Sequence, residues 1–352
     1  MATLHRSTLT GLDHDVPSVE AVWDALQQAI ELEHSTIPVY LYSLFSLDPD
    51  KNRGTVDIIR SVVVEEMLHM VLAANVLNAL GGSPAISKHD FIPAYPGPLP
   101  GGVEGQLRLH LRPFSMDQLE AFILIEEPHA PIDFAAHAAL VEVPAVTIGE
   151  FYLSISRAIQ RLPAEAFVQP PRNQIGPELM FGSIAVTDAE SAVRAIETII
   201  EQGEGTTTSP EEIDGPNGSN DFAHFYRFME LKMGRRLVKV SDATSPFSSY
   251  EYSGEVVEVD PSGIYDLPVD PSSRHYPVGS EARRMNDEFN LTYSKMLAQL
   301  HELLNGSADL DTFMASLAMM SSLERQARAM ASGEANGGIA VGPSFEVPAG
   351  RS

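Results

Sequence analysis

The 352-residue sequence contains no cysteine and few basic side chains. The absence of thiols excludes disulfides, iron–sulfur clusters, thiolate zinc sites and a cysteine nucleophile. Lysine and arginine number 23 against 48 aspartate and glutamate residues, which gives a formal net charge of −25. A surface of that sign repels phosphate backbones and anionic lipid, so we expect neither nucleic acid nor a membrane surface as a partner. The acids either solvate the surface or bind cations, and their placement must decide between these two roles.

Long uncharged segments and targeting signals are also missing. The most apolar early stretch, residues 29–47, is interrupted by Glu31, Glu33 and His34, so we expect no bilayer-spanning helix there. Residues 1–15 contain no basic region followed by an apolar core, which predicts a protein without a signal peptide that stays in the cytoplasm. No Gly-rich phosphate loop and no serine nucleophile elbow is present, so nucleotide binding and serine hydrolysis are not expected.

Helical periodicity dominates the sequence and predicts a mainly all-α helical bundle with long loops and short strands. We assign residues 1–238 to this bundle. Residues 239–352 are predicted to form a short-strand segment, a C-terminal helical hairpin and a tail that wraps the surface or is mobile, all within one compact unit. Short strands are predicted within residues 106–111 and 250–259. The predicted helices cover residues 18–47, 55–80, 115–127, 147–161, 187–202, 220–237, 281–304 and 309–331.

The first two predicted helices carry acids in the middle of otherwise apolar faces. On the second helix, residues spaced alternately three and four apart form a face that is apolar except for Glu66 and His69. The matching face of the first helix carries Glu33, with Tyr40 two turns further on. Burying an unpaired carboxylate is costly, so each acid needs a cation or a hydrogen-bonding partner. Glu65 and His34 lie off these faces and are predicted to be surface groups or supports for the ligands.

Glu66 and His69 also have the Glu-x-x-His spacing of carboxylate-bridged two-metal bundles. Residues three apart lie on adjacent helical turns, so the glutamate can bridge two ions while the histidine binds one of them. Together with Glu33 on the neighbouring helix, the motif predicts a buried metal site. The alternative is a buried ion pair that needs no metal.

The third helical ligand is less well defined. Glu150 is the third residue after Thr147 in a capping box, so helix capping alone explains its position. Glu126, at the end of the preceding helix, is the fallback ligand.

The fourth helix should supply a second Glu-x-x-His, but the sequence offers Glu201-x-x-Glu204 without the histidine. His224, in the aromatic segment 222–228, is the substitute if the chain between residues 203 and 219 folds back. The alternative for His224 is a core histidine packed among aromatic rings.

In combination, these motifs resemble the ferritin-like domain family found in iminophenyl-pyruvate dimer synthases of bisindole pigment and indolocarbazole biosynthesis. The similarity covers about residues 19–331. The resemblance implies a ferritin-like four-helix bundle with an added C-terminal helical hairpin. Synthases of that type carry this domain within a much longer polypeptide, so the coupling of two imine molecules is not carried over. The matching segments are residues 29–38, 64–69, 147–152, 201–205, 223–228, 289–293 and 301–306. The metal ligands implied by the resemblance are Glu33, Glu66, His69 and Glu150, with some of Glu201, Glu204 and His224.

The site and the resemblance together predict a di-iron oxidase or oxygenase of secondary metabolism, with Glu66 and Glu33 as its catalytic ligands. Carboxylate and imidazole ligands suit two iron ions, with manganese as the alternative metal. The expected partners are dioxygen and a small molecule, such as an amino acid or its imine, and a homo-oligomer is compatible with the pattern. Two alternatives stay open: an iron-binding or storage protein without turnover, and a metal-free interaction module.

Overall fold

The computed structural model describes residues 11–87, 91–103, 107–128, 147–206, 209–211, 221–240, 250–306 and 309–348. Within these residues the protein is mainly helical, as the periodicity predicts. Two small antiparallel sheets pair β1 (Gly97–Pro98) with β2 (Arg108–Leu109), and β3 (Val238–Lys239) with β4 (Tyr250–Glu251). The α-helices are α1 (Val19–Phe45), α2 (Arg53–Ala79), α3 (Met116–Ile125), α4 (Ile148–Gln160), α5 (Ala189–Glu204), α6 (His224–Met233), α7 (Glu281–Asn305) and α8 (Leu310–Ser332).

Side-chain caps fix where several helices begin. Ser18, Ser115 and Thr147 each accept a hydrogen bond from the backbone N–H three residues later, as their sequence positions predict. The start of α5 differs by one residue, because the carboxylate of Asp188, and not Thr187, accepts from the backbone of Ser191. Aspartate is at least as good an N-cap as threonine, and only one of two adjacent residues can occupy that position.

The core of the bundle is built on α1 and α2, which pack against each other more extensively than any other pair of described elements. The predicted apolar faces of both helices are buried, with only Ile37 partly exposed. By length and composition alone α2 could cross a membrane, but 89% of its most apolar window is buried inside the protein. Its apolarity is therefore accounted for by the core.

The other helices close around this pair. α4 packs on α5, α5 contacts α2, and the two short helices α3 and α6 pack on each other. α6 begins at His224, not near residue 220, and ends at Met233, not near residue 237. It is followed by Gly234, whose φ of 69° suits glycine. This arrangement brings the C-terminal end of α3 and the N-terminal end of α6 toward the middle of α1 and α2.

The C-terminal hairpin of α7 and α8 packs on the bundle through α1 and α2. His34, predicted as a surface group or ligand support, is instead buried, and its Nε2 lies 2.7 Å from the hydroxyl of Tyr293 on α7. Beyond α8 the chain wraps the surface: Phe345 is buried, and the backbone N–H of Ser344 donates to Asn286 of α7. The division into residues 1–238 and 239–352 stays a prediction.

Candidate metal centre

Four helices direct acids and imidazoles into one buried space. α1 contributes Glu33, α2 contributes Glu66 and His69, the residue after α3 is Glu126, and α6 begins with His224. All five side chains are at least 93% buried. Glu66, His69 and His224 each offer one ligand atom, and these three atoms lie within 4.8 Å of one another. The sequence-predicted residues Glu33, Glu66, His69 and His224 therefore come together.

One half of the site is formed by Glu33 and His69. Oε2 of Glu33 lies 3.4 Å from Nδ1 of His69. The other oxygen of this carboxylate accepts a hydrogen bond from the hydroxyl of Tyr152 on α4. The other nitrogen of the imidazole, Nε2, lies 3.0 Å from the amide oxygen of Gln202 on α5. Both side chains are thus fixed with one atom facing the centre of the cluster.

The other half is formed by Glu126 and His224 and repeats this arrangement. Oε2 of Glu126 lies 3.6 Å from Nδ1 of His224, and Oε1 accepts a 2.5 Å hydrogen bond from Tyr40. Nε2 of His224 lies 3.0 Å from Oε2 of Glu65. The two imidazole rings stack at 5.2 Å between centroids.

Glu66 stands between the two halves. Its Oε1 lies 2.9 Å from Nδ1 of His224, and its Oε2 accepts a 2.8 Å hydrogen bond from Thr36. It also lies in the three-atom group that includes His69. A carboxylate in this position has access to both imidazoles, as a bridging ligand requires.

The protonation pattern of the histidines tests whether the cluster suits metal ions. An amide or carboxylate oxygen accepts hydrogen bonds, so Gln202 and Glu65 each fix a proton on Nε2 of the histidine beside them. Nδ1 of His69 and Nδ1 of His224 then face the carboxylates, where a metal ion would take the place of a proton. Nδ1 of His224 is buried and makes no hydrogen bond within the described structure, although Glu66 Oε1 is close by. Converging nitrogen and oxygen lone pairs fit a cation, and this donor set suits iron, manganese or zinc.

The Ferritin-like family model matches residues 26–233. The chain belongs to the ferritin-like family. A curated relative, dichlorochromopyrrolate synthase of Lentzea aerocolonigenes, is 23% identical over 333 residues, covering 81% of this chain and 31% of that protein. The ferritin-like chain thus spans about a third of the relative's length. The crystal structure of a ferritin like protein from Caulobacter vibrioides superposes with a TM-score of 0.61 at 21% identity, covering 93% of this chain and 98% of that one. The family resemblance predicted from the sequence is confirmed.

The electrostatics of the ferritin-like site call for added positive charge. Burial raises the pKa of Glu33 to about 7. Burial and the neighbouring carboxylates raise the pKa of Glu66 and of Glu126. Burial lowers the pKa of His69, whereas for His224 the surrounding acids outweigh burial and raise it. Several acids in one low-dielectric space cannot all ionise unless a cation neutralises them, and a metal ion supplies that charge.

Glu65 supports the site from behind His224. It is buried, and the guanidinium of Arg227, one turn along α6, contacts both of its carboxylate oxygens. Although burial disfavours its charge, Arg227 and His224 lower the pKa of Glu65 to about 2. The carboxylate therefore stays ionised and holds the imidazole in place, in the supporting role that was one of its two predicted alternatives.

Two of the acids implied as ligands, Glu150 and Glu204, contact the N-terminal end of α4. The carboxylate of Glu150 accepts from the backbone N–H of Thr147, 3.1 Å away, which is the capping interaction. The carboxylate of Glu204 accepts from the backbone N–H of Gly149 at 2.6 Å, at the same helix end. Glu201 is partly exposed. The fallback residue Glu126 lies in the cluster, with Oε2 3.6 Å from Nδ1 of His224.

Several supporting residues of the site were missed by sequence reasoning, Tyr152 and Gln202 among them. Tyr152 follows Glu150 by two positions within a segment that carries the family resemblance, but only the acid was predicted as a ligand. Gln202 had a clearer signal, because it continues the buried face of α5 formed by Ala195 and Ile199. A polar residue on such a face is a site candidate even when it is not a metal ligand.

Proposed function

We propose that this ferritin-like protein is an enzyme that holds two metal ions, iron in preference to manganese. We further propose that it uses them with dioxygen to oxidise an amino-acid-derived small molecule in secondary metabolism. The observation that carries the proposal is the pair of matching half-sites, each with one histidine and one tyrosine-anchored carboxylate, on either side of Glu66.

In this proposal Glu33 and His69 hold one ion, at what we call the His69 position. Glu126 and His224 hold the other, at the His224 position, and Glu66 is shared between them. Two such ions with open coordination positions supply the binding and reduction of dioxygen. The protein's own side chains fix the ligands. Tyr40, Tyr152 and Thr36 each donate to one carboxylate oxygen, so the remaining oxygen of each carboxylate would be available to the ions.

The substrate class rests on the comparison and on the family resemblance. The relative is named as a synthase of dichlorochromopyrrolate, which supports a small organic molecule as substrate. Because this chain spans only 31% of that protein, the relative's whole reaction is not assigned to it. An amino acid or its imine is the substrate class that the resemblance favours.

The test is anaerobic loading of the full chain with ferrous iron, followed by elemental analysis and exposure to oxygen. We expect two iron ions per chain, oxygen consumption and a new absorption band as the iron is oxidised. Glu66→Ala should lose most of the bound metal, since its carboxylate is shared by both positions. A variant at a surface acid of the same helix, Asp57→Ala, serves as the control and should keep both ions.

Two results would overturn the proposal in different directions. Iron far above two ions per chain would indicate storage without turnover. A protein that binds no iron and has an unchanged melting temperature on iron addition would indicate a metal-free interaction module, because a ligand that binds only the native state must stabilise it.

A further inference from the structure

The two half-sites differ in the side chain that stands behind each histidine. Nε2 of His69 contacts the neutral amide oxygen of Gln202, whereas Nε2 of His224 contacts the carboxylate of Glu65, each at 3.0 Å. Both supporting side chains are buried, with 1% and 4% of their surface exposed. The geometry of the two contacts is the same, so charge is the difference between them.

A charged partner makes an imidazole a better metal ligand. A carboxylate that accepts the Nε2 proton increases the electron density on Nδ1, and such outer partners typically change metal affinity about 10- to 100-fold. A neutral amide fixes the ring orientation equally well but does not add this effect. The partner effect alone therefore predicts stronger binding at the His224 position.

The number of carboxylate oxygens near each histidine also predicts stronger metal binding at the His224 position. Within the described residues, Nδ1 of His224 has two carboxylate oxygens within 3.6 Å, from Glu66 and Glu126. Among the same residues, Nδ1 of His69 has one carboxylate oxygen at a comparable distance, from Glu33 at 3.4 Å. A divalent ion at the His224 position would meet more negative charge at short range.

Arg227 holds Glu65 in position behind His224. Its guanidinium contacts Glu65 and also donates a 2.9 Å hydrogen bond to the hydroxyl of Ser61, one turn before Glu65 on α2. Arg227 is 3% exposed and also lines a cavity of about 430 Å³, together with Ser61 and Phe222. The buried ion pair keeps Glu65 charged and prevents it from turning away from His224.

We propose that the two metal positions are unequal and that the His224 position is the tighter and fills first. Glu65, held by Arg227, is the positioning residue that makes it so, while Gln202 leaves His69 with a neutral support. This inference rests on the proposed two-metal function.

Anaerobic titration of the metal-stripped full chain with Mn²⁺ tests the order of binding. Calorimetry gives the affinity of each step, and electron paramagnetic resonance distinguishes an isolated Mn²⁺ from a coupled pair. We expect two steps at least 10-fold apart, with isolated Mn²⁺ at one ion per chain and coupling only as the second ion binds. His69→Ala should keep the tight step, whereas His224→Ala should keep only a weak one.

Matched substitutions behind the two histidines test the cause. Glu65→Gln keeps an acceptor for Nε2 but removes the charge, so the first step should weaken 10- to 100-fold while the second changes less than about 3-fold. Gln202→Glu is the opposite change and should tighten the second step only. Because Glu65→Gln leaves Arg227 buried without its partner, Glu65→Gln/Arg227→Gln provides the same test without that charge. Circular dichroism checks that each variant is folded.

The outcomes separate this inference from the function on which it rests. Two Mn²⁺ ions bound with equal affinity, or a tight step that survives in His224→Ala, would overturn the unequal positions and leave the two-metal site standing. Equal weakening of both steps in the Glu65 variants would overturn the role of Glu65. A parent protein that binds no metal would overturn the proposed function together with the inference.

Discussion

Removing the metal should make the stability of this protein fall as the pH rises from 5 to 8. Burial raises the pKa of Glu33 from its ordinary value of 4.5 to about 7, and the pKa values of Glu66 and Glu126 are also raised. The folded protein therefore binds more protons than the unfolded chain between these two pH values. Stability contributed by a carboxylate of this kind is complete below the unfolded pKa and is lost as the pH rises toward the folded one.

The magnitude follows from Glu33 alone. The difference between pKa values of 4.5 and about 7 corresponds to about 3 kcal/mol of unfolding free energy. For a chain of 352 residues, about 2.1 cal/mol/K of unfolding entropy per residue converts this to a decrease in Tm of about 4 °C. Bound Mn²⁺ or Fe²⁺ supplies the missing positive charge, so the loaded protein should show a much smaller decrease.

Calorimetry or urea unfolding at pH 5, 6, 7 and 8, with and without Mn²⁺, measures the effect. The overall charge of −25 also destabilises the folded state as the pH rises, but equally in a variant that differs only at residue 33. Glu33→Gln cannot ionise, so its metal-stripped form should lose about 3 kcal/mol less than the parent over this range. Parallel pH profiles for the parent and Glu33→Gln would refute the reasoning.

Two further predictions concern single side chains. Glu126→Ala should reduce the bound Mn²⁺ from two ions to one, whereas Glu150→Ala should keep both ions and lose only about 1 kcal/mol of unfolding free energy through its helix cap. Elemental analysis measures the bound metal and urea unfolding measures the stability. Loss of metal in Glu150→Ala but not in Glu126→Ala would contradict the assignment of Glu126 as the ligand. Arg227→Met should lower the unfolding free energy by about 3–5 kcal/mol, because it leaves the buried charge of Glu65 without its guanidinium partner. Arg227→Met/Glu65→Leu should recover most of that loss in the same urea assay, and no recovery would show that the damage has another cause.

The sequence predicted those parts of the site that depend on local periodicity. Glu33, Glu66 and His69 lie on long, regular helices whose buried faces can be counted in steps of three and four. The helix starts at Ser18 and Thr147 were predictable for the same reason, since a cap and its partner are three residues apart. Each of these inferences needs only residues within a few turns of one another.

The position of Glu126 depends on tertiary structure and could not be predicted in this way. Glu150 lies in the first turn of its helix and Glu126 directly follows the last residue of its own, and neither local pattern shows which acid faces the cluster. The structure decides through packing: α3 lies against α6, which brings Glu126 to His224, while Glu150 is used by its own helix cap. An acid in the first turn of a helix can serve as a cap or as a ligand, so the capping box of Glu150 did not by itself exclude metal binding.

Helix α5 shows how an error of one residue in helical register changes the predicted ligand. Successive residues of an α-helix point about 100° apart, so Glu201 and Gln202 cannot face the same neighbour. The expected Glu-x-x-His spacing favours Glu201, but the buried face of α5 runs through Ile199 to Gln202. As a result an amide, and not a carboxylate, stands beside His69. If the metal affinity at the His69 position depends on this amide, Gln202 contributes to the difference between the two metal positions. Its importance is visible only from the helix face on which it lies.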